Sequence, residues 1–528
     1  GSYFVRIPLK KSANIVHANS LTTDWQSLLN PVNAYNIVAR HADIFIADDP
    51  EVPYGKVKVK AQSYKIHHGE PPQPQSQIKF DYIFGNPPFI GKYLQNNRQK
   101  EDLKAITKGI KGANVLDYVA CWYLKAAKYI QGTNIKTAFV STNSISQGEQ
   151  VSILWNEMFN RYGIKIHFAH RTFRWDNEAK GKAAVHVVII GFANFDTSNK
   201  LLFDYENIKA DAHETKAKNI NPYLLEGEDV VVLKQRKSIC NAKAISFGSM
   251  PNDGGNFLLA DDEINEFLKT EPNAKKFIKP ILSAREFLNN QNRWCLWLEG
   301  ISPSELRQLP EVSKRVAQVK KLRENSTRKA TRKLAEFPTL FGENRQPKTD
   351  YILIPRVSSE NRKYIPVGFF SKDYIAGDTC LTISGASLYD FGMLSSQMHI
   401  AWVKYTCGRL KSDFRYSNEI VYNNYPFPKD ISDKQKERVE KAAQVVLDTR
   451  VKYPNSSLAD LYDPLAMPPD LVKAHKTLDK AVDLCYRPQA FTNERARIEF
   501  LFRLYSEYVT PIQAALDKKE KKKKRRKK

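Results

Sequence analysis

Cysteine is scarce in this chain and scattered. Cys121, Cys240, Cys295, Cys380, Cys407 and Cys485 are the six among 528 residues, and none stands in a C-x-x-C pair. No histidine cluster completes a zinc-binding set, so no metal is expected. Isolated thiols in so long a chain argue against a disulfide framework and fit a reducing cytoplasm. No apolar stretch reaches the roughly 18 residues that a membrane-spanning helix needs, so no membrane span is expected. A secretory leader pattern is lacking too, and Gly1-Ser2 reads as a cloning remnant. Negative charge is under-represented: 57 acidic residues face 82 lysines and arginines, a formal net charge of +25. The segment 517–528 holds ten basic and two acidic residues, a net +8, which leaves +17 on the remainder. A basic body, and not only a basic tail, points to a polyanionic partner.

What is present describes a folded protein. Hydrophobic residues make up 42% and aromatics 11% of the chain, and the length predicts about two to four domains. The most informative tetrapeptide is Asn86-Pro87-Pro88-Phe89, which comes after the short apolar run Tyr82-Ile83-Phe84. Two prolines fix the backbone there. They hold an amide side chain and a backbone carbonyl still, with an aromatic ring beside them. Such a set accepts both hydrogens of a planar amine and stacks on its ring, and the exocyclic amine of a nucleobase fits. The plainer reading is a turn that ends a buried strand.

Periodicity sets the organisation. Residues 14–20 read as a strand ending in a polar loop, and 50–78 as a Pro-, Gln-, Lys- and Gly-rich excursion. A helix is predicted over about 115–130, with Val115, Tyr118, Val119, Trp122 and Ala126 at helical spacing. A strand over 136–141, a helix over 147–160 and a strand pair over 164–169 and 184–193 complete a doubly wound α/β sheet with an antiparallel edge. After about residue 225 the βα alternation ceases. Ser302-Pro303-Ser304-Glu305 is a capping box opening a basic helix with Arg307, Lys314, Arg315, Lys320, Lys321 and Arg323. Residues 431–449 and 468–515 read as helical, and 518–528 as a basic disordered tail.

Further segments come after Asn86-Pro87-Pro88-Phe89 in order: 115–127, which contains Asp117, 137–148, and 170–179 with His-Arg-Thr-Phe-Arg-Trp. This order resembles the catalytic domain of amino-group DNA methyltransferases that modify adenine, and more narrowly the MmeI-like, type IIL restriction–modification enzymes. Residues 408–426 look like the end of that family's target recognition domain. The resemblance covers nearly the whole chain. It implies a Rossmann-like class I methyltransferase sheet over 1–225, an α+β target recognition domain over 226–430, a helical region over 431–516 and the tail 517–528.

The resemblance also implies a mechanism. A flipped adenine is held through its amine by Asn86 and the Pro87 carbonyl, and stacked by Phe89 and Phe173. Its amine nitrogen then attacks the methyl group of S-adenosyl-L-methionine. Trp175 or Phe168 could take the place of Phe173, and ordinary packing would also explain that ring. Asn19 matches a residue that contacts the cofactor's adenine, or else caps a strand. Asp117 stands near the cofactor, although a helix cap explains it better. The implied partner is double-stranded DNA. Glu360 and Arg362 match an acid–base pair that reads one base pair, since a carboxylate accepts from cytosine and a guanidinium donates to guanine. Arg409, Lys411 and Arg415 fit phosphate contacts. A solvated charged loop is the plainer reading of Glu360 and Arg362, and the alternative for the three basic residues.

One departure stands out. The family has a glycine-containing loop and an acidic residue for the cofactor ahead of the position of Asn19, and neither precedes residue 14. The chain is therefore expected to be amino-terminally truncated, without the family's nuclease domain and with an incomplete cofactor site. Three functions stay open: a DNA adenine methyltransferase with its recognition domain, a methyltransferase for RNA or protein, and a DNA-binding specificity module without independent catalysis.

Overall fold

A computed structural model describes residues 16–29, 80–175, 185–205, 210–410 and 412–525. The amino-terminal part is a mixed six-stranded sheet: β1 (Tyr82–Gly85), β2 (Lys136–Thr142), β3 (Lys165–Trp175), β4 (Val185–Ala193), β5 (Lys200–Asp204) and β6 (His213–Ala217). Their spatial order is β1-β2-β4-β3-β5-β6. β1 runs parallel to β2 and β3 parallel to β5, while β4 is antiparallel to both β2 and β3. The carboxyl ends of β1, β2, β3 and β5 therefore open on one edge of the sheet, where α/β folds bind their ligands. The expected strand pair forms, but β4 lies inside the sheet. The edge beyond it is closed by β5 and β6, which are too short and polar to announce themselves.

Three helices follow in this part, α1 (Asn97–Ile106), α2 (Ala120–Tyr129) and α3 (Gly148–Asn160), and α1 packs against α2. α1 starts at a capping box in which Asn96 and Gln99 exchange side-chain and backbone hydrogen bonds. The helix expected over 115–130 splits into a short turn, Ala113–Val115, and α2, because Leu116 is extended between them. α2 buries Cys121, Tyr123, Leu124, Ala126 and Ala127. The Tyr123 ring stacks on Phe192 of β4 at 5.5 Å, which joins helix to sheet. Residues 16–20, expected as part of a strand, form the start of a turn. Its backbone is gripped from α2, because Lys125 Nζ donates to the carbonyls of Ser20, Leu21 and Thr23. The 50–78 excursion lies outside the described residues.

The second part holds small sheets of four, four and three strands. The basic helix breaks into α4 (Pro303–Arg307) and α5 (Pro310–Glu324), since Pro310 cannot continue the preceding turn. Arg323 is only 1% exposed and donates to the carbonyls of Pro251, Asn252, Leu334, Phe337 and Leu340, so it braces loops and faces no partner. Then come α6 (Gln397–Thr406), α7 (Asp433–Val451), α8 (Pro469–Tyr486) and α9 (Glu494–Arg525). α9 continues through most of the stretch expected to be disordered. Its Ala, Leu, Lys and Glu residues are strong helix formers with no proline after Pro511. No helix among the described residues is long and apolar enough to cross a membrane.

The two parts touch at two glycines. Gly148 opens α3 at φ +59°, and a Cβ there would lie 2.7 Å from Gly408 Cα. Gly109 has φ +89° but open space around it. Gly109→Ala is expected to cost about 1–2 kcal/mol for the left-handed backbone alone. Gly148→Ala is expected to cost clearly more, because the backbone of residue 408 cannot retreat. Urea unfolding of the two variants measures the difference; equal costs would mean that the contact is slack.

Candidate active site and nucleic-acid interface

The chain leaves β1 at Gly85 and enters Asn86-Pro87-Pro88-Phe89 at the carboxyl edge. Pro87 is buried, Phe89 half-buried, and Asn86 and Pro88 are exposed. No hydrogen bond ties down the Asn86 amide among the described residues. The chain beyond Phe89 is well anchored. The Ile90 carbonyl accepts from the Tyr118 N–H at 2.9 Å, and buried Gln95 donates to the Leu116 carbonyl at 3.0 Å. Between these anchors a turn presents Tyr93 and Leu94, 83% and 81% exposed.

Asp117 sits beneath this turn. Its carboxylate accepts from the Ser144 hydroxyl at 2.5 Å, and its N–H donates to Gln150 at 2.9 Å. It does not cap α2, whose N-cap is Val119 without a side-chain bond. Instead it ties the segment ahead of α2 to the turn after β2 and to α3. Asn19 lies in the turn tethered to α2. Its side chain accepts from the Leu21 N–H at 3.0 Å and donates to Asp102 at 3.1 Å. Asp102 also accepts from the Tyr118 hydroxyl at 2.6 Å, and burial together with this bond pushes the phenol's pKa up. Asn19, Asp102 and Tyr118 line a cavity of about 490 Å³ with His17, Arg98 and Gln99.

Phe173 stands near the carboxyl end of β3, opposite Val187, and stacks on Tyr205 just after β5, 5.1 Å away at 22°. β2 and β4 separate β3 from β1, about 14 Å at ordinary strand spacing, so Phe89 and Phe173 share an edge without touching. Phe168 is unsuited to the stacking role, because its ring lies over Gly191, where a Cβ would come within 2.0 Å of it. The Trp175 side chain is outside the described residues.

Opposite this edge stands a three-stranded sheet of β7 (Val357–Ser358), β8 (Gly408–Leu410) and β9 (Asp413–Arg415). Arg409 is its hub. It donates to Glu360 at 3.1 Å, to Gln147 at 3.3 Å and to the Ser412 carbonyl at 2.9 Å, and it lies 4.2 Å above the Phe414 ring. Arg409 is thus committed inside the protein, contrary to a free phosphate contact. Glu360 meets Arg409, and Arg362 donates to Ser358 instead at 3.3 Å. The structure does not bring Glu360 and Arg362 together. Burial lowers the pKa of both guanidinium groups. Arg415 is exposed, and Lys411 lies outside the described residues.

Between the edge and the sheet runs a cleft of about 1210 Å³. Tyr93, Asp117 and Asn143 line one wall, and Glu360, Arg409 and Arg415 the other. Arg356 also lines it, 4.7 Å above the Phe247 ring. Sequence reading missed Tyr93, Gln147 and Arg356 as site residues. Arg356 alone carried a signal, because it opens Arg-Val-Ser-Ser-Glu-Asn-Arg-Lys-Tyr at 356–364, which interleaves an acid with bases.

This arrangement agrees with the comparisons. Residues 2–204 match the family described as MmeI, DNA-methyltransferase domain, residues 226–429 the MmeI target recognition domain, and residues 431–513 the MmeI C-terminal domain. The chain belongs to the MmeI family. It is 42% identical over 427 residues to DNA methyltransferase A of Bacillus subtilis (strain 168), across 81% of this chain and 48% of that protein. The solved structure of the type IIL restriction–modification enzyme MmeI in complex with DNA superposes with a TM-score of 0.77 at 43% identity, over 96% of this chain and 62% of that one. The chain thus spans about half to three-fifths of the length of these relatives.

The two arginines on the recognition sheet separate by a stability measurement. Arg409→Ala is expected to cost about 2 kcal/mol, because it removes partly buried charge-assisted hydrogen bonds and a ring contact. Arg415→Ala is expected to stay within about 0.5 kcal/mol, as exposed substitutions do. Equal denaturation midpoints would show that Arg409 is not the hub its contacts describe.

Proposed function

We propose that the chain is the modification and recognition portion of a cytoplasmic restriction–modification protein, and that it methylates the exocyclic amine of an adenine flipped out of duplex DNA. The observation that carries this reading is the exposed amide of Asn86, unpartnered among the described residues. It stands at the carboxyl edge of the sheet, where prolines hold it rigid. A polar side chain left free beside so many satisfied ones is poised for a ligand. Asn86 and the Pro87 carbonyl accept the two amine hydrogens and draw the nitrogen towards tetrahedral geometry. Phe89 stacks on the base, and Phe173 closes on its other face from β3. Bound S-adenosyl-L-methionine supplies an electrophilic methyl group. The cavity beside Asn19 suits its nucleoside: Asn19, Arg98 and Gln99 offer donors and acceptors, Asp102 a carboxylate and Tyr118 a ring. Asp117 contributes indirectly, by holding Ser144 in the turn after β2.

DNA is favoured over RNA or protein by the second wall of the cleft. Arg415 is exposed there for a phosphate, and Glu360 is held by Arg409 with its carboxylate at the cleft for a base edge. Arg362 supports the same stretch through Ser358.

In the natural full-length protein, Asn86→Ala is expected to lower methyl transfer to duplex DNA by about a hundredfold or more, the scale for losing one preorganised hydrogen-bonding group. Affinity for DNA should survive, since Asn86 adds no charge. Near-normal transfer of labelled methyl groups would refute the catalytic assignment. Arg415→Ala is expected to weaken binding to all duplexes about equally and to reduce the slope of log K against log salt by about 1. A loss confined to one sequence would make Arg415 a base reader instead.

A further inference from the structure

The stretch that carries Glu360 is gripped immediately downstream by the carboxy-terminal helices. Asp479 of α8 is 7% exposed, and its two oxygens are divided between two elements. One accepts from the Tyr364 hydroxyl at 2.7 Å, and the other from the Gln397 N–H at the start of α6, also at 2.7 Å. Gln397 in turn donates its side chain to the Lys363 carbonyl at 2.8 Å. One turn before Asp479, the His475 ring stacks on Tyr364 at 4.0 Å and 24°. Arg450 of α7 donates to the Val367 carbonyl at 2.7 Å. Residues 363, 364 and 367 are thus each held from α7, α8 or the α6 terminus that Asp479 caps, while Glu360 lies three to seven residues upstream with its carboxylate at the cleft.

We propose that Asp479 is a specificity-positioning residue: from the carboxy-terminal helices it sets the placement of the stretch that presents Glu360 to a base pair. The inference rests on the reading of Glu360 as a base contact. It gives the helical region a role in recognition although that region does not line the cleft. An ionised Asp479 suits the task, because a carboxylate accepts both hydrogen bonds at full strength and sits at the positive end of α6.

Burial pushes its pKa up to about 7, against the Gln397 N–H, the Tyr364 hydroxyl and Arg497, which hold it down, while Asp483 adds to the rise. The neighbouring groups do not titrate with it. Burial keeps His475 neutral, Tyr364 is raised further above the usual phenol range, and Arg497 is paired with Asp483 at 2.6 Å. As pH falls through about 7 the carboxyl takes up a proton. One oxygen then becomes a donor, and the Tyr364 hydroxyl must turn to accept it.

The test is a methylation survey on duplexes randomised at each position of the recognition site, using the natural full-length protein. Asp479→Asn keeps the side chain's shape. Tyr364→Phe removes the same bond from the other side while keeping the ring on His475. Each is expected to reduce discrimination about tenfold, the scale of one charge-assisted hydrogen bond, at the position that Glu360→Gln relaxes. The double variant should lose no more than either single. Wild-type discrimination there should fall between about pH 8 and about pH 6, on either side of the carboxyl's raised pKa, and Asp479→Asn should abolish that dependence. If Glu360→Gln relaxes a position and the other two variants leave it intact, even with lowered stability, the positioning role is overturned. If Glu360→Gln also relaxes nothing, the base-contact reading fails and the proposal falls with it.

Discussion

Gly148 lies so close to the backbone of Gly408 that a side chain at 148 has no room, although one at 408 would meet open space, and the geometry of the cleft depends on that approach. Gly148 is the first residue of α3, and Gly408 the first of β8. Their neighbours, Gln147 and Arg409, are bonded at 3.3 Å, and Arg409 extends the link to Glu360. Gln147, which introduces α3, and Glu360 are therefore one guanidinium apart. A shift of the recognition sheet moves both walls of the cleft.

A second tie runs beneath this one. Arg171 of β3 pairs with Asp204 of β5 at 2.6 Å and donates to Tyr405 of α6; next to it, Lys404 pairs with Glu494 of α9 at 2.5 Å. Such half-buried pairs add little net stability, because desolvation offsets their attraction. They do discriminate among arrangements, since any other docking of sheet, recognition domain and terminal helices would strand a charge. Together with the Asp479 contacts, they make α6 the element through which all three parts communicate.

The fold was legible where periodicity was strong. The alternation of Lys136–Thr142 and the apolar face of 148–160 are strand and helix as expected. Legibility ended where tertiary contact overrode local pattern. Residues 16–20 look like the end of a strand, but Lys125, more than a hundred positions away, gathers their carbonyls into a turn. Arg323 and Arg409 look like DNA-facing cations. Each has an inward set of acceptors that nothing in its own neighbourhood of sequence announces. Asn86 was the opposite case: prolines dictate its surroundings locally, so its exposure at the sheet edge could be anticipated from four residues. Glu360 was singled out in sequence, but its pairing with Arg409 was not, because that pairing depends on how β8 meets the loop after β7.

The same contrast separates residues that build the cleft from those free to act in it. Lys234 is neutralised by Glu149 at 2.6 Å and Arg409 by Glu360, while Asp117 is held by Ser144. Once these are set aside, the ionisable groups still lining the cleft are few: Lys92, His186, Arg356, Arg415 and Glu419, together with the Glu360 carboxylate that Arg409 holds there and the exposed side chains of Tyr93 and Leu94. Such pairing removes one charge of each sign, so the net charge of +25 stays on the rest of the chain. On the proposed reading, attraction to DNA comes from that net charge across the surface, and discrimination from the few groups at the cleft that rigid neighbours hold in place.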